Sequence, residues 1–237
     1  MQDHPPNHPP DHPPADFSYS YTSQLTLVIL YTLTTILAVT GNCLAILVFT
    51  RGRRSCSELK PFLLNLALAD LVMAIFCIPF TFAYELAGEW LAPPAMCPLV
   101  WACQQVSVTV SVSTNTAIGI DRLLAVKFPL RRRGNSSHRT KLVVLAIWVV
   151  ALSLGVVPLT KAKAMEVRGA LKCEEDWADI HASLAWGVVM IIVTYFLPAS
   201  ILAATYISIG HHLWNRNLPG NADSNRDALQ LRSKKKV

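Results

Sequence analysis

The chain of 237 residues is 52% hydrophobic and only 15% charged, a balance typical of integral membrane proteins and a poor fit to a soluble two-domain protein. Its net charge of +6 comes without a basic patch interleaved with stacking aromatic residues, which argues against binding to nucleic acid. The composition therefore predicts an all-α fold, a polytopic transmembrane helix bundle in a lipid membrane.

Residues 1–24 repeat His-Pro-Pro and contain no Lys or Arg. Proline-rich sequence cannot build a packed core, so we predict a disordered tail. Histidine-rich tracts bind metal in some proteins, but isolated histidines separated by prolines are more often a flexible segment. We see no basic segment followed by a short apolar run and a small-residue cleavage site, and we expect the first span to act as its own insertion signal.

Five runs with few or no charged residues follow, each long enough to cross a bilayer core of about 30 Å as a helix. We expect five spans, near residues 25–49, 59–85, 97–126, 141–161 and 180–214. With the first segment outside, most of the 21 Lys and Arg residues fall on inner loops and helix ends. The positive-inside rule then predicts a multi-pass protein of the plasma membrane with an extracellular N-terminus.

Polar residues interrupt the first three spans at a similar depth. Asn42, Asp70 and Ser111 each lie about 10 residues, or about 15 Å, from the nearest inner-side basic residue. An ionisable side chain at the midplane is a functional-site hypothesis, and Asp70 with amide and hydroxyl partners suits a sodium ion or a titrating proton. The simpler alternative is that Asp70 is a polar clamp between helices.

The third span carries a polar stripe. Its members recur at helical spacing on one face: Gln104, Ser111, Asn115 and Arg122. Polar side chains at membrane depth are costly unless they meet partners or water, so we expect this helix to lie centrally in the bundle. At its inner end, Asp121 can form an adjacent ion pair with Arg122, or the two can be an ordinary charged flank.

Two of the six cysteines are predicted to form a disulfide. Cys97, at the outer start of the third span, and Cys173, in the second outer loop, both face the oxidising side of the membrane. The other cysteines lie in lipid-embedded or cytosolic positions and lack the Cys-x-x-Cys spacing of redox and zinc sites.

The stretch from Cys97 to Leu130 resembles the third helix of rhodopsin-like (class A) G protein-coupled receptors. The matching residues are Cys97, Thr116-Ala117-Ile118, Asp121-Arg122-Leu123, Ala125-Val126 and Pro129-Leu130. The resemblance extends over nearly all of residues 25–237 and implies a seven-helix receptor of which five spans are present. It further implies the Cys97–Cys173 bridge, a sodium pocket at Asn42, Asp70 and Ser111, and a G protein-coupling ionic switch at Asp121 and Arg122.

Two residues depart from the family pattern. Leu123 stands where an aromatic residue is usual, and Asn115 stands where a large apolar residue is usual. Asn115 could loosen the apolar layer that keeps the resting state closed, so raised basal activity or poor expression is a hypothesis.

Within that family, four segments resemble peptide receptors of the neuropeptide Y and prolactin-releasing peptide group: 104–108, 129–133, 173–177 and 195–198. This resemblance implies a receptor for an extracellular neuropeptide, Arg-Phe-amide or neuropeptide Y-like, that signals to heterotrimeric G proteins. Gln104 stands where amine receptors carry an aspartate. The acidic run after Cys173 is expected to hang over the mouth of the bundle, although such runs are often only a solvated face. We expect Gln104, Glu174 and Glu175 to contact the ligand.

Residues 215–237 are polar and are predicted to form a cytoplasmic loop; they end in Lys234-Lys235-Lys236-Val237, which resembles the start of a sixth span. An alternative interpretation is therefore a truncated, signalling-incompetent receptor isoform, or an incomplete gene model. An enzyme or a transporter is a third interpretation, but the sequence has no nucleophile–base set, metal cluster or inverted repeat to support it. We expect no enzymatic activity and no cofactor other than a sodium ion at Asp70.

Overall fold

The computed structural model describes residues 21–52, 59–128 and 136–214. Its helices are α1 (Tyr21–Arg51), α2 (Lys60–Val72), α3 (Ile78–Ala87), α4 (Met96–Lys127), α5 (Ser136–Lys161), α6 (Ile180–Ile191) and α7 (Leu197–Trp214). The predicted tail lies outside the described residues except for its last four, which belong to α1. The predicted loop 215–237 also lies outside them.

π-helical turns join two pairs of helices into continuous segments. Met73–Cys77 connects α2 to α3, and Ile192–Phe196 connects α6 to α7. Each turn comes just before a proline, Pro79 or Pro198, whose ring and missing N–H disturb the regular ladder of hydrogen bonds. The expected loosening of the second span near Pro79 therefore takes the form of one π-helical turn.

By length and composition, four helical segments within the described residues could cross a membrane: Tyr21–Arg51, Lys60–Ala87, His138–Lys161 and Ile180–Trp214. The remaining predicted span, the third, corresponds to α4, which has 32 residues and is about 48 Å long. Its polar stripe makes it less apolar than the other four. Helix α4 packs against α2, α5 and α7, as expected for a central helix. Of its polar stripe, however, only Ser111 is partly buried, and Gln104, Asn115 and Arg122 are exposed.

The outer surface of the bundle is apolar. Helix α1 has no buried residue, and large side chains such as Leu37, Leu142 and Ile207 are 62%, 65% and 72% exposed. A continuous apolar surface of this kind is typical of contact with lipid. The prediction of a transmembrane helix bundle is confirmed.

Glycines allow two close helix contacts on α4. A Cβ atom at Gly155 of α5 would lie 2.5 Å from Cγ2 of Val106, and a Cβ atom at Gly119 would lie 2.8 Å from Cδ2 of Leu202 in α7. Both distances are shorter than van der Waals contact. The absence of a side chain is therefore what lets α5 and α7 approach α4 this closely.

An antiparallel hairpin of β1 (Ala162–Val167) and β2 (Ala170–Glu175) follows α5. Arg168 and Gly169 form its two-residue turn with φ angles of 53° and 83°, the left-handed values that such tight hairpins use. The hairpin was not predicted from the sequence. It covers one end of the bundle, called the hairpin end below, and Arg122 lies toward the opposite end of α4.

Candidate functional site

A disulfide fixes the hairpin to the bundle. Cys97, in the first turn of α4, bonds to Cys173 of β2 with the two Cα atoms 5.7 Å apart, as predicted. Both cysteines are buried in a cluster with Trp90, Val100 and Ala162. The connection between α3 and α4 also holds β2, because Trp90 N donates to Leu171 O at 2.6 Å and Lys172 Nζ donates to Gly88 O. The hairpin is therefore tied to α3, α4 and α5.

The acidic run after Cys173 is largely engaged within the hairpin. Lys163 Nζ lies 2.9 Å from Asp176 Oδ2, and its hydrogen bond and positive charge hold the pKa of Asp176 below the ordinary value of 3.8. Trp177 Nε1 donates to Glu175 Oε2 at 2.8 Å, and Lys161 Nζ lies 5.1 Å from the centroid of the Trp177 ring. A fourth acid, Asp179, accepts a hydrogen bond from the His181 N–H at the start of α6.

Glu174 is the exception in this run. Its side chain is exposed, and within the described part of the chain no hydrogen bond or ion pair involves it. It lies opposite Lys163 in the strand register, but Lys163 bonds to Asp176 instead. Lysine side chains therefore lie among the acidic side chains of the predicted patch and offset their charge. The patch can pair with one cationic group at short range, but it does not produce a strong negative electrostatic potential. Sequence reasoning missed this compensation because Lys161 and Lys163 come from the end of α5 and from the other strand.

Gln104 lies about 10 Å along α4 from Cys97 and is exposed. No hydrogen bond among the described residues joins it to Glu174 or Glu175. The structure thus places the three predicted ligand residues toward the hairpin end without linking them. Glu175 is the one already occupied, by the Trp177 indole.

Two of the three predicted midplane residues meet. Ser111 Oγ donates to Asp70 Oδ1 at 2.6 Å, which joins α4 to α2. Asn42 Nδ2 instead donates to Ala38 O of its own helix at 2.9 Å. Within the described residues no group of three or more His, Cys, Asp or Glu side chains could hold a metal ion. A sodium ion at Asp70 would thus have one carboxylate and the Ser111 hydroxyl as its side-chain ligands, oxygen donors that suit a hard cation.

A second polar contact, which sequence reasoning missed, joins three helices. Asn65 Nδ2 of α2 donates to Thr114 Oγ1 of α4 at 2.8 Å, and Trp148 Nε1 of α5 donates to Asn65 Oδ1 at 2.7 Å. Asn65 and Thr114 are buried. The available signal was an amide inside an apolar span together with a tryptophan, whose N–H needs an acceptor when buried.

At the opposite end of α4, Asp121 and Arg122 point in different directions. Asp121 is buried, and its Oδ1 lies 3.9 Å from Nη2 of Arg139 in α5, whereas Arg122 is exposed. Adjacent residues on a helix are about 100° apart and do not face each other. One contact of Asp121 is therefore made across helices, to Arg139 of α5. The two alternatives for Asp121 and Arg122, an adjacent ion pair or an ordinary charged flank, stay predictions.

Comparison with known proteins gives the family. Residues 41–237 match the family model described as 7 transmembrane receptor (rhodopsin family). The substance-K receptor of Homo sapiens is 33% identical over 204 residues, 85% of this chain and 51% of the relative. The substance-K receptor of Mus musculus is 32% identical over 204 residues, 85% of this chain and 53% of the relative. The chain spans about half the length of these curated relatives, and the finer resemblance to neuropeptide Y and prolactin-releasing peptide receptors is not confirmed by them. The chain belongs to the rhodopsin family of seven-transmembrane receptors.

Proposed function

We propose that this chain forms the peptide-recognising part of a G protein-coupled receptor in the plasma membrane, with its N-terminus and hairpin outside the cell. The observation that carries the proposal is the hairpin held across one end of the bundle by the Cys97–Cys173 disulfide. Since Gln104 lies beneath that end and Arg122 lies toward the other end of α4, one helix connects a ligand site to a G protein site.

The ligand is proposed to be a peptide. The relatives are named for substance K, which supports a peptide of that class, and the sequence resemblance also supports Arg-Phe-amide or neuropeptide Y-like peptides. Glu174 is the contact for a positively charged group because its carboxylate is exposed and lacks a hydrogen bond or ion pair within the described residues. Glu175 contributes beside the Trp177 indole, and Gln104 offers a neutral amide farther along α4. This arrangement favours a ligand with one cationic group near the hairpin.

Signalling is proposed to be a shift between resting and active arrangements of the helices. A ligand drives this shift only because it binds one arrangement more tightly than the other. A sodium ion at Asp70 and Ser111 would favour the resting arrangement. Arg122 is the proposed contact for a heterotrimeric G protein. Its exposure at the end of α4 opposite the hairpin supports that role.

The test exposes cells carrying the receptor to substance K, an Arg-Phe-amide peptide and neuropeptide Y, and measures nucleotide exchange on G proteins. We expect one peptide class to stimulate exchange, and Glu174→Gln to weaken its potency about tenfold, the scale of one charge-assisted hydrogen bond. Glu166→Gln is the matched control, since Glu166 is an exposed hairpin acid at the other end of the strand pairing. No response to any peptide, or equal losses in both variants, would contradict the proposal.

A second candidate function rests on the polar face of α4. Gln104, Asn115 and Arg122 are exposed along it, and exposed polar groups at membrane depth are costly. Further membrane helices covering this face could belong to a second receptor copy, in which case the chain would modulate a complete receptor without signalling itself. Co-purification with a differently tagged complete receptor, together with no peptide-stimulated exchange by the chain alone, would favour this candidate.

A further inference from the structure

The outward face of α5 carries a regular row of large aliphatic side chains. Helix α5 packs on α4 through its buried face, which includes Ile147, Ala151 and Gly155. On the other face, six aliphatic residues follow one another at spacings of 3, 4, 3, 4 and 3 residues, and each is 43–65% exposed. These six residues, called the α5 seam below, are Leu142, Leu145, Val149, Leu152, Val156 and Leu159. The α5 seam is about 26 Å long, nearly the thickness of a bilayer core.

The spacing of the α5 seam is that of a coiled coil. A repeat of seven residues with apolar side chains at its first and fourth positions, called a and d, keeps one row of side chains facing a partner helix. Position a is held by Leu142, Val149 and Val156, and every position d is a leucine. β-branched residues at a with leucine at d favour two parallel helices. The residue types therefore indicate a parallel pair.

A strip of small residues runs beside the α5 seam. Ala146, Ser153 and Thr160 are exposed and recur every seven residues. The hydroxyl groups of Ser153 and Thr160 donate to carbonyl oxygens of their own helix, Val149 O and Val156 O. In a membrane, helices associate through van der Waals packing rather than the hydrophobic effect, and small residues let their backbones approach closely. The large side chains and the adjacent small strip together suit close packing against another helix.

Orientation and symmetry favour a second copy of this chain as the partner. Two copies inserted in the same direction have parallel α5 helices, which is the arrangement that the residue types favour. In a two-fold pair each seam residue meets its own equivalent, so one surface completes itself. The six residues expose about 500 Å² in each copy, so a pair would bury about 1,000 Å², the area at which a specific interface begins.

Further helices over the polar face of α4 would not cover the α5 seam. Val106 is the residue of α4 that approaches Gly155 of α5, and Asn115 lies about 180° from Val106 around α4. The two surfaces are therefore on opposite sides of α4. A contact through the α5 seam is thus different from the contact on the polar face that was given as a second candidate function.

We propose that the α5 seam joins two copies of this chain in a parallel, two-fold symmetric pair within the membrane. The pairing depends only on the outward face of α5 and on insertion in one orientation. It requires neither a ligand nor a G protein, so its test is independent of the proposed function.

The first test is cross-linking between copies of the whole chain in cell membranes. Cys43, an exposed free cysteine, is replaced by serine in every variant to lower the background. Val149→Cys places a thiol on the α5 seam, and Val150→Cys is the matched control, since Val149 and Val150 are 57% and 51% exposed but point about 100° apart. With a membrane-permeant oxidant, Val149→Cys should give a disulfide-linked dimer, and Val150→Cys should give no more than the Cys43→Ser background.

The second test measures pairing by energy transfer between fluorescently tagged copies as a function of their density in the membrane. Leu145→Ala combined with Leu152→Ala should raise the dissociation constant about tenfold, because each truncation removes three carbon atoms and their dispersion contacts. Leu37→Ala combined with Leu44→Ala is the matched control on α1, where both leucines are 62% exposed, and should leave pairing unchanged. Thermal unfolding of each variant establishes that it is folded.

Several results would overturn the proposal. Energy transfer no greater than that of unassociated proteins at every density would mean that lipid covers the α5 seam. Equal cross-linking of Val149→Cys and Val150→Cys, or none at Val149→Cys, would place any contact elsewhere. Equal weakening by the α1 and α5 variants would remove the specificity of the α5 seam. A cross-linked product of Val149→Cys that mass spectrometry identifies as a different protein would replace the second copy by that partner.

Discussion

Replacing Gly155 by alanine should destabilise the bundle, for a reason visible in one distance. The added Cβ would lie 2.5 Å from Cγ2 of Val106 and 3.5 Å from the Ala102 carbonyl oxygen. Valine has one strongly preferred rotamer in a helix, so its methyl group cannot turn aside. Helices α4 and α5 would have to separate, and overpacking of this kind costs about 1–3 kcal/mol.

Gly187 provides the matched control, because a Cβ atom there would meet nothing within 4 Å. Gly187→Ala should stabilise its helix by about 0.5–1 kcal/mol through backbone entropy alone. Gly119→Ala should fall between the two variants, since the atom that it meets, Leu202 Cδ2, is the end of a flexible side chain. The difference between Gly155→Ala and Gly187→Ala thus isolates the cost of overpacking.

The assay is thermal unfolding of the purified protein in detergent. At about 2–4 °C per kcal/mol for a chain of this size, Gly155→Ala should unfold at least about 2 °C below Gly187→Ala. Adding Val106→Ala should recover part of the loss, so that the double variant is less destabilised than the sum of the two single variants. Equal unfolding temperatures for the two glycine variants, or strictly additive effects with Val106→Ala, would refute the reasoning.

Three further predictions concern polar contacts. Trp148→Phe removes the indole hydrogen bond and should lower stability by about 1 kcal/mol in thermal unfolding, whereas no change would mean that the contact contributes nothing. Sodium chloride should raise the unfolding temperature relative to choline chloride, and Asp70→Asn should abolish the difference; a difference that persists in the variant would exclude Asp70 as the sodium ligand. Because Lys163 lowers the pKa of Asp176, their contact stabilises the hairpin above about pH 3.8 and is lost as the pH falls through the lower folded value. Carboxyl titration by NMR should show this pKa returning toward 3.8 in Lys163→Gln, and an unmoved pKa would contradict the assignment.

Features that depend on composition along one segment could be predicted from the sequence. The apolar runs indicated the helices because a membrane-spanning segment needs a minimum length and few charges, whatever its neighbours are. The Cys97–Cys173 bridge was predicted from the side of the membrane on which each cysteine falls. Helix period placed Ser111 on a polar face, and the structure shows that hydroxyl bonded to Asp70.

Features that depend on partners from distant parts of the chain could not be predicted. The acidic run after Cys173 resembled an open patch because the lysines that compensate it, Lys161 at the end of α5 and Lys163 on β1, precede it in the chain, and the hairpin that aligns the two strands was not recognised. Two six-residue strands around Arg168-Gly169 gave only a weak local signal. The contact between Asp121 and Arg139 was missed for the same reason, since only the packing of α5 on α4 brings Arg139 close to Asp121.

The central claim is that the hairpin end faces the outside of the cell and the Arg122 end faces the cytosol. A membrane-impermeant maleimide applied to intact cells tests it most directly, with one cysteine introduced at exposed Glu166 of the hairpin and, separately, one at exposed Lys141 near the opposite end. The account predicts labelling of Glu166→Cys in intact cells and of Lys141→Cys only after permeabilisation. Labelling of Lys141→Cys in intact cells, with Glu166→Cys protected, would contradict it.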